Sequence, residues 1–279
     1  YLNKLNTVNM SVEDIATICE MYRDWLIPAN DVQIQYDRLL GSGSFSKVYL
    51  AKWRETLVVA KIINEDVCHK NLVLREIDIM SKLHHPNIVQ FLGYIDKPFI
   101  LIMEYISNGN LLEKIKSLKR KQQISIMKNI LQALAYFHNR RPQSLIHRDI
   151  KPTNVLLTKS NVAKITDFGI SKLYITRKNS FSDLENHNEE HESDLTQDVG
   201  TKRYRAPETY CSVYDNKIDI YSCGILLYEM FERKRHIPNT PMHWYWCPKK
   251  IRNIIKNHML CEDPCERLDA LSILGLLNM

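Results

Sequence analysis

The 279 residues are 44% hydrophobic, enough for one large domain or two packed lobes. A net charge of +6 is too diffuse to point to nucleic acid, and no apolar run approaches the ~20 residues of a membrane span. Seven cysteines without a CxxC pair read as reduced thiols, so a cytoplasmic or nuclear setting is expected. No signal-peptide pattern opens the chain. It starts at Tyr1 rather than Met, as expected for a piece of a longer protein.

Residues 1–31 read as a helical extension, with Ser11 and Asp14 as a capping pair in "SVEDIATICEMYRDWL" and Pro28 as the stop. From Val32 the pattern alternates. "VYLAKW" and "TLVVAKII" are predicted strands joined at Arg54-Glu55. A helix is expected from Lys70 to Leu83, followed by the strands "IVQFLGYI" and "PFILIMEYI". After Gly109 the chain turns helical, interrupted by short strands at "NVLLT" and "AKITDF". A mostly-β part over 32–104 and a mostly-α part over 105–279 make an α+β architecture with a cleft between lobes. The stretch from Thr176 to Asp198 is rich in Ser, Asn and Glu and poor in core residues, so a mobile insert is expected there.

Within this layout, "LLGSGSFSKVYLAKW" (39–53) sets two glycines into a strand pattern. A hairpin accounts for them, and so does a loop kept bare so that backbone N–H groups can approach phosphates. In the helix "NLVLREIDIMSKL", Leu72, Glu76, Ile79, Met80 and Leu83 share one stripe, with Arg75, Asp78 and Lys82 opposite. Glu76 on an apolar face needs a cation, and Lys61, at the end of "LVVAK", is the candidate. "LIHRDIKPTN" (145–154) sets polar residues between apolar runs: Asp149 as a proton acceptor, Lys151 as a nearby cation, and Asn154 as a neutral oxygen ligand for Mg²⁺. Asp167 in "KITDFGIS" supplies a second oxygen ligand, with Gly169 allowing a sharp turn.

In this order the glycine-rich loop, "VVAK", the helix glutamate, "HRDIKPTN", "DFG", "APE", "DIYSCG" and "DPCER" resemble the catalytic domain of a eukaryotic-type protein kinase from Ile34 to Leu277. The resemblance implies a bilobal fold: an antiparallel β-sheet lobe with one main helix, a mostly α-helical lobe, and an activation segment over 167–208. It implies ATP and Mg²⁺ as cofactors and protein hydroxyls as substrates. Leu40, Gly41, Gly43, Ser44, Phe45, Val48, Ala60, Lys61, Met103, Glu104, Ile106 and Leu156 would then bind nucleotide, and Asn154 and Asp167 the metal. Lys61, Glu76, Asp149 and Lys151 would carry catalysis. Ser46 stands where the family has a third glycine, which is expected to weaken nucleotide binding somewhat. His147, Phe168, Met80 and Phe91 resemble a stacked spine. Asp219 would anchor the catalytic loop, and Glu208 and Arg267 would form a buried pair.

Lys151 and Thr201, in "GTKRYRAPE", are similar to serine/threonine kinases, and the hinge "MEYISNGNL" to the tyrosine-kinase-like and Raf-like group. Arg148 before the aspartate implies switching by phosphorylation, by an upstream kinase or by trans-autophosphorylation, with Ser180, Ser182, Ser193, Thr196 and Thr201 as possible acceptors. The rival within the fold is a pseudokinase scaffold. The residues present do not favour it.

Overall fold

A computed structural model describes residues 20–43, 46–64, 70–141, 143–175, 201–210 and 214–278. The cap at Ser11, the loop tip Ser44–Phe45, the insert from Thr176 and the acceptors Ser180, Ser182, Ser193 and Thr196 lie outside the described residues, as does most of the 167–208 segment. The chain divides into two compact units, 1–107 and 108–279.

In the first unit, β1 (Val32–Ser42), β2 (Ser46–Trp53), β3 (Thr56–Ile63), β4 (Phe91–Asp96) and β5 (Phe99–Glu104) form one antiparallel sheet in the order β1-β2-β3-β5-β4. The β2–β3 turn falls at Arg54 and Glu55 as expected. Both have positive φ (44° and 68°), the left-handed pair that matches the strand twist in a two-residue hairpin. Alternation sorts the side chains. Ala51, Val58, Ala60, Ile100 and Ile102 join Ile27 and Val32 in one buried cluster. Cross-strand pairing puts Val48, Val59, Lys61, Leu101 and Met103 on the other face.

Helix α1 runs from Lys70 to Ser81, two residues shorter than predicted. It buries Val73, Ile77 and Met80, as the stripe requires. Asp78, opposite that stripe as expected, is nevertheless only 1% exposed. Tyr22, from the preceding segment, covers it and donates its hydroxyl proton to Asp78 Oδ1. Helical periodicity reports one apolar stripe and is blind to a second covering supplied by another part of the chain.

The second unit packs α2 (Leu111–Lys114), α3 (Arg120–His138), α4 (Lys217–Glu232), α5 (Lys249–Ile254) and α6 (Ala270–Asn278) with two small ladders, β6 (Gln143–Ile146) to β9 (Lys172–Ile175) and β7 (Val155–Leu157) to β8 (Ala163–Ile165). Helix α4 is apolar all round and buried nearly all round, the signature of a core helix. At Gly224 a Cβ would come 2.7 Å from Leu260 Cδ2, so the missing side chain lets the chain beyond α5 lie close. Two buried carboxylates on α4 fasten the loop that follows it. Glu229 accepts from His236 N–H at 2.8 Å, and Glu232 from the N–H groups of Tyr245 and Cys247 at 2.9 Å each.

Candidate active site

In the first unit the cation expected for Glu76 is Lys61. Nζ lies 2.6 Å from Oε1, with the two side chains 12% and 6% exposed. Alternation on β3 turns Lys61 toward α1, and the helix stripe turns Glu76 toward the sheet, so the pair closes where two independent periodicities meet. Val48 pairs across β2–β3 with Lys61, and Gly41 pairs with Val48 across β1–β2. The β1–β2 connection is a hairpin, with Gly43 N–H donating to Ser46 O at 2.9 Å. Its glycines are not demanded by packing. A Cβ on Gly41 would meet nothing within 4 Å and one on Gly43 only Ser46 O at 3.9 Å, and neither has the left-handed φ that would require glycine.

Ala60 departs from the expected nucleotide set. Its Cβ belongs to the cluster on the opposite face, while Val59, one residue earlier, shares the face of Val48, Lys61 and Met103. A one-residue step along a strand flips the side chain, and "LVVAK" has no polar alternation to show which way. Met103 and Ile106 are buried, and Leu40 is exposed. The Glu104 amide is committed to Gln90 O at 3.0 Å.

In the second unit the loop from His147 to Asn154 is held from below by Asp219. This buried carboxylate accepts from His147 N–H at 2.8 Å and Arg148 N–H at 2.9 Å, and its Oδ2 lies 3.0 Å from His138 Nε2. Burial alone would raise the Asp219 pKa, but the His138 hydrogen bond and the charge of both histidines outweigh it and hold the carboxyl below its ordinary value. With two successive amides tied to one carboxylate, Arg148 takes a left-handed φ of 68°. Its guanidinium donates to Ile170 O at 2.5 Å and Tyr214 Oη at 3.0 Å.

Asp149 stands on this base. Lys151 Nζ donates to its Oδ2 at 2.6 Å and Asn154 Nδ2 at 2.9 Å, while Thr201 Oγ1 lies 3.4 Å from Oδ1. Lys151 also donates to Thr201 Oγ1 at 3.1 Å. Asn154 spends its amide nitrogen on Asp149, which leaves the carboxamide oxygen as its ligand atom. The β7–β8 ladder brings Asp167 to the same end: Val155 pairs with Ile165, and Thr166 N–H donates to Asn154 O at 3.0 Å. Asp167 follows at φ 69°. Behind it Phe168 packs edge-on against His147 and Phe137, with centroids 5.1 and 5.6 Å away. Phe91 and Met80 are buried in the first unit. Arg267 Nη2 donates to Glu208 Oε2 at 2.9 Å, the pair expected from the resemblance, with Arg267 buried and Glu208 half-buried.

Residues 34–275 match the protein kinase domain family. The chain belongs to that family. Similar proteins include the serine/threonine-protein kinase VIK of Arabidopsis thaliana, 37% identical over 75% of this chain and 48% of VIK. Serine/threonine-protein kinase CTR1 of the same plant is 32% identical over 74% of this chain and 25% of its own length. Human mitogen-activated protein kinase kinase kinase 7 is 32% identical over 73% and 32%. The kinase domain described here thus spans about half or less of these curated relatives.

Sequence reasoning missed two groups that the kinase domain uses to hold its loop. His138 closes the apolar run "ALAYFH", and a lone imidazole in the last turn of a buried helix was the available signal. Tyr214, which receives Arg148, carried none.

Proposed function

We propose that this kinase domain transfers the γ-phosphoryl group of ATP to serine and threonine hydroxyls of protein substrates. The observation that carries the reading is the set around Asp149, whose carboxylate is fixed by Lys151, Asn154 and Thr201. The names of the relatives support the same activity and the same acceptor residues.

Asn154 and Asp167 offer a carboxamide and a carboxylate oxygen, the hard donors that Mg²⁺ takes. Bound there, the ion supplies positive charge to the phosphate oxygens. Lys61, oriented by Glu76, places its ammonium against the α- and β-phosphates. The bare hairpin at Gly41 and Gly43 gives backbone N–H groups access to them. The acceptor oxygen forms its bond to the γ-phosphorus as the bond to the β–γ bridging oxygen breaks, and Asp149 takes the hydroxyl proton. Lys151 offsets charge on the moving phosphoryl group. Thr201, bonded to both Lys151 and Asp149, seats the acceptor, and protein substrates and an activating kinase are the partners this chemistry needs. The chain incubated with γ-labelled ATP, Mg²⁺ and a generic basic protein is expected to label it, and Lys61→Met to abolish the label. A folded wild-type chain that binds nucleotide and transfers nothing would overturn the reading.

A further inference from the structure

The family match begins at residue 34, yet the segment before it is built into the first unit. Tyr22 and Ile27 are buried, Trp25 lies against Phe91 with centroids 5.3 Å apart, and Ile27 N–H donates to Tyr94 O at 2.8 Å. Leu26 and Tyr94 form a parallel bridge. The sheet makes room at Gly93, where φ is 153° and a Cβ would come 2.5 Å from Trp25 O and 2.7 Å from Ile27 Cδ1. Residues 22–27 are therefore a strap with a fitted seat.

The strap reaches one polar group. Tyr22 Oη donates to Asp78 Oδ1, and Lys82 Nζ donates to the same oxygen. Asp78 Oδ2 is buried with no hydrogen-bond partner among the described residues. A carboxylate buried with so few donors is costly and depends on each one it has. Asp78 lies two residues after Glu76, about 200° around the helix. Helix α1 is thus held on one side by Lys61 through Glu76 and on the other by Tyr22 through Asp78.

We infer that Tyr22 is a positioning residue for phosphoryl transfer. Its hydrogen bond to Asp78 holds α1 at the rotation that brings Glu76 to Lys61. This rests on the kinase reading above. A ring that merely filled the core would leave transfer unchanged when its hydroxyl alone is removed.

The test compares the full chain with Tyr22→Phe, Asp78→Asn and the double variant, reading amide hydrogen exchange across 70–81 together with kcat and peptide KM. Tyr22→Phe keeps the ring and removes one donor from a buried carboxylate. Exchange over 70–81 is expected to speed up about tenfold and kcat to fall to a similar degree, with peptide KM and exchange over 217–232 unchanged. Adding Asp78→Asn to Tyr22→Phe is expected to change exchange and kcat little further, because both substitutions act on the same hydrogen bond. If Tyr22→Phe lowers the melting temperature but leaves exchange over 70–81 and kcat at wild-type values, the inference is overturned and the tyrosine is packing alone. If the wild type transfers no phosphate, the kinase reading falls, and with it the transfer role of Tyr22. Exchange over 70–81 then still decides whether Tyr22 holds the helix.

Discussion

Asp149 receives donors on both carboxylate oxygens, so its orientation is set before any acceptor arrives. Asp149→Asn preserves the shape, and its amide oxygen can still accept from Lys151 and Asn154, but it removes the proton acceptor. It is expected to lower kcat by ~10²–10⁴ while nucleotide affinity stays near wild type, measured by transfer kinetics and by titration with ATP. Asp219 works one layer below. Its folded pKa lies under the ordinary 3.8, so its contribution to stability is fully present above that value and is lost as pH falls below it. Acid unfolding followed by circular dichroism should show this loss in the wild type, and Asp219→Asn should be less stable at pH 7 with a shallower decline below pH 4. Asp149 was legible because it sits in a short polar motif bounded by apolar runs, whereas Asp219, in an all-round apolar helix, was legible only through the resemblance. His138 was not read: a lone imidazole closing an apolar helix marks a group that needs a polar partner, but its partner Asp219 lies 81 residues away.

Among the elements, the hairpin glycines separate two uses of the same residue. Gly41 has open space where a Cβ would go, so Gly41→Ala is expected to change stability by no more than ~0.5 kcal/mol and yet to raise the KM for ATP. Gly93 is the reverse: a Cβ there meets backbone, and Gly93→Ala is expected to cost about 2–3 kcal/mol in urea denaturation by unseating the strap. Alternating strands, the Arg54-Glu55 turn and the α1 stripe could be read in advance because each obeys one period. Two things could not. Ala60 was placed in the nucleotide set although its side chain lies on the other face, because a continuous apolar run has no polar marker and a one-residue error goes unseen. The burial of Asp78 was missed because the group that covers it lies 56 residues earlier in the chain.

For the whole molecule, the ordered motifs led to the family that the match over 34–275 bears out. They led there because a phosphoryl-transfer site is assembled from separate strand ends and loops whose order along the chain is fixed by the fold. The strap at 22–27 has no such motif, because its seat at Gly93 and Tyr94 lies about 70 residues further along the chain. The central claim is that the chain moves phosphate to aliphatic hydroxyls through Asp149. Two peptides identical except for serine or tyrosine at one position, incubated with Mg²⁺ and γ-labelled ATP, put that claim to the most direct test. The account predicts label on the serine peptide, little on its tyrosine twin, and almost none from Asp149→Asn. Equal labelling of both peptides, or serine labelling that survives Asp149→Asn, would contradict it.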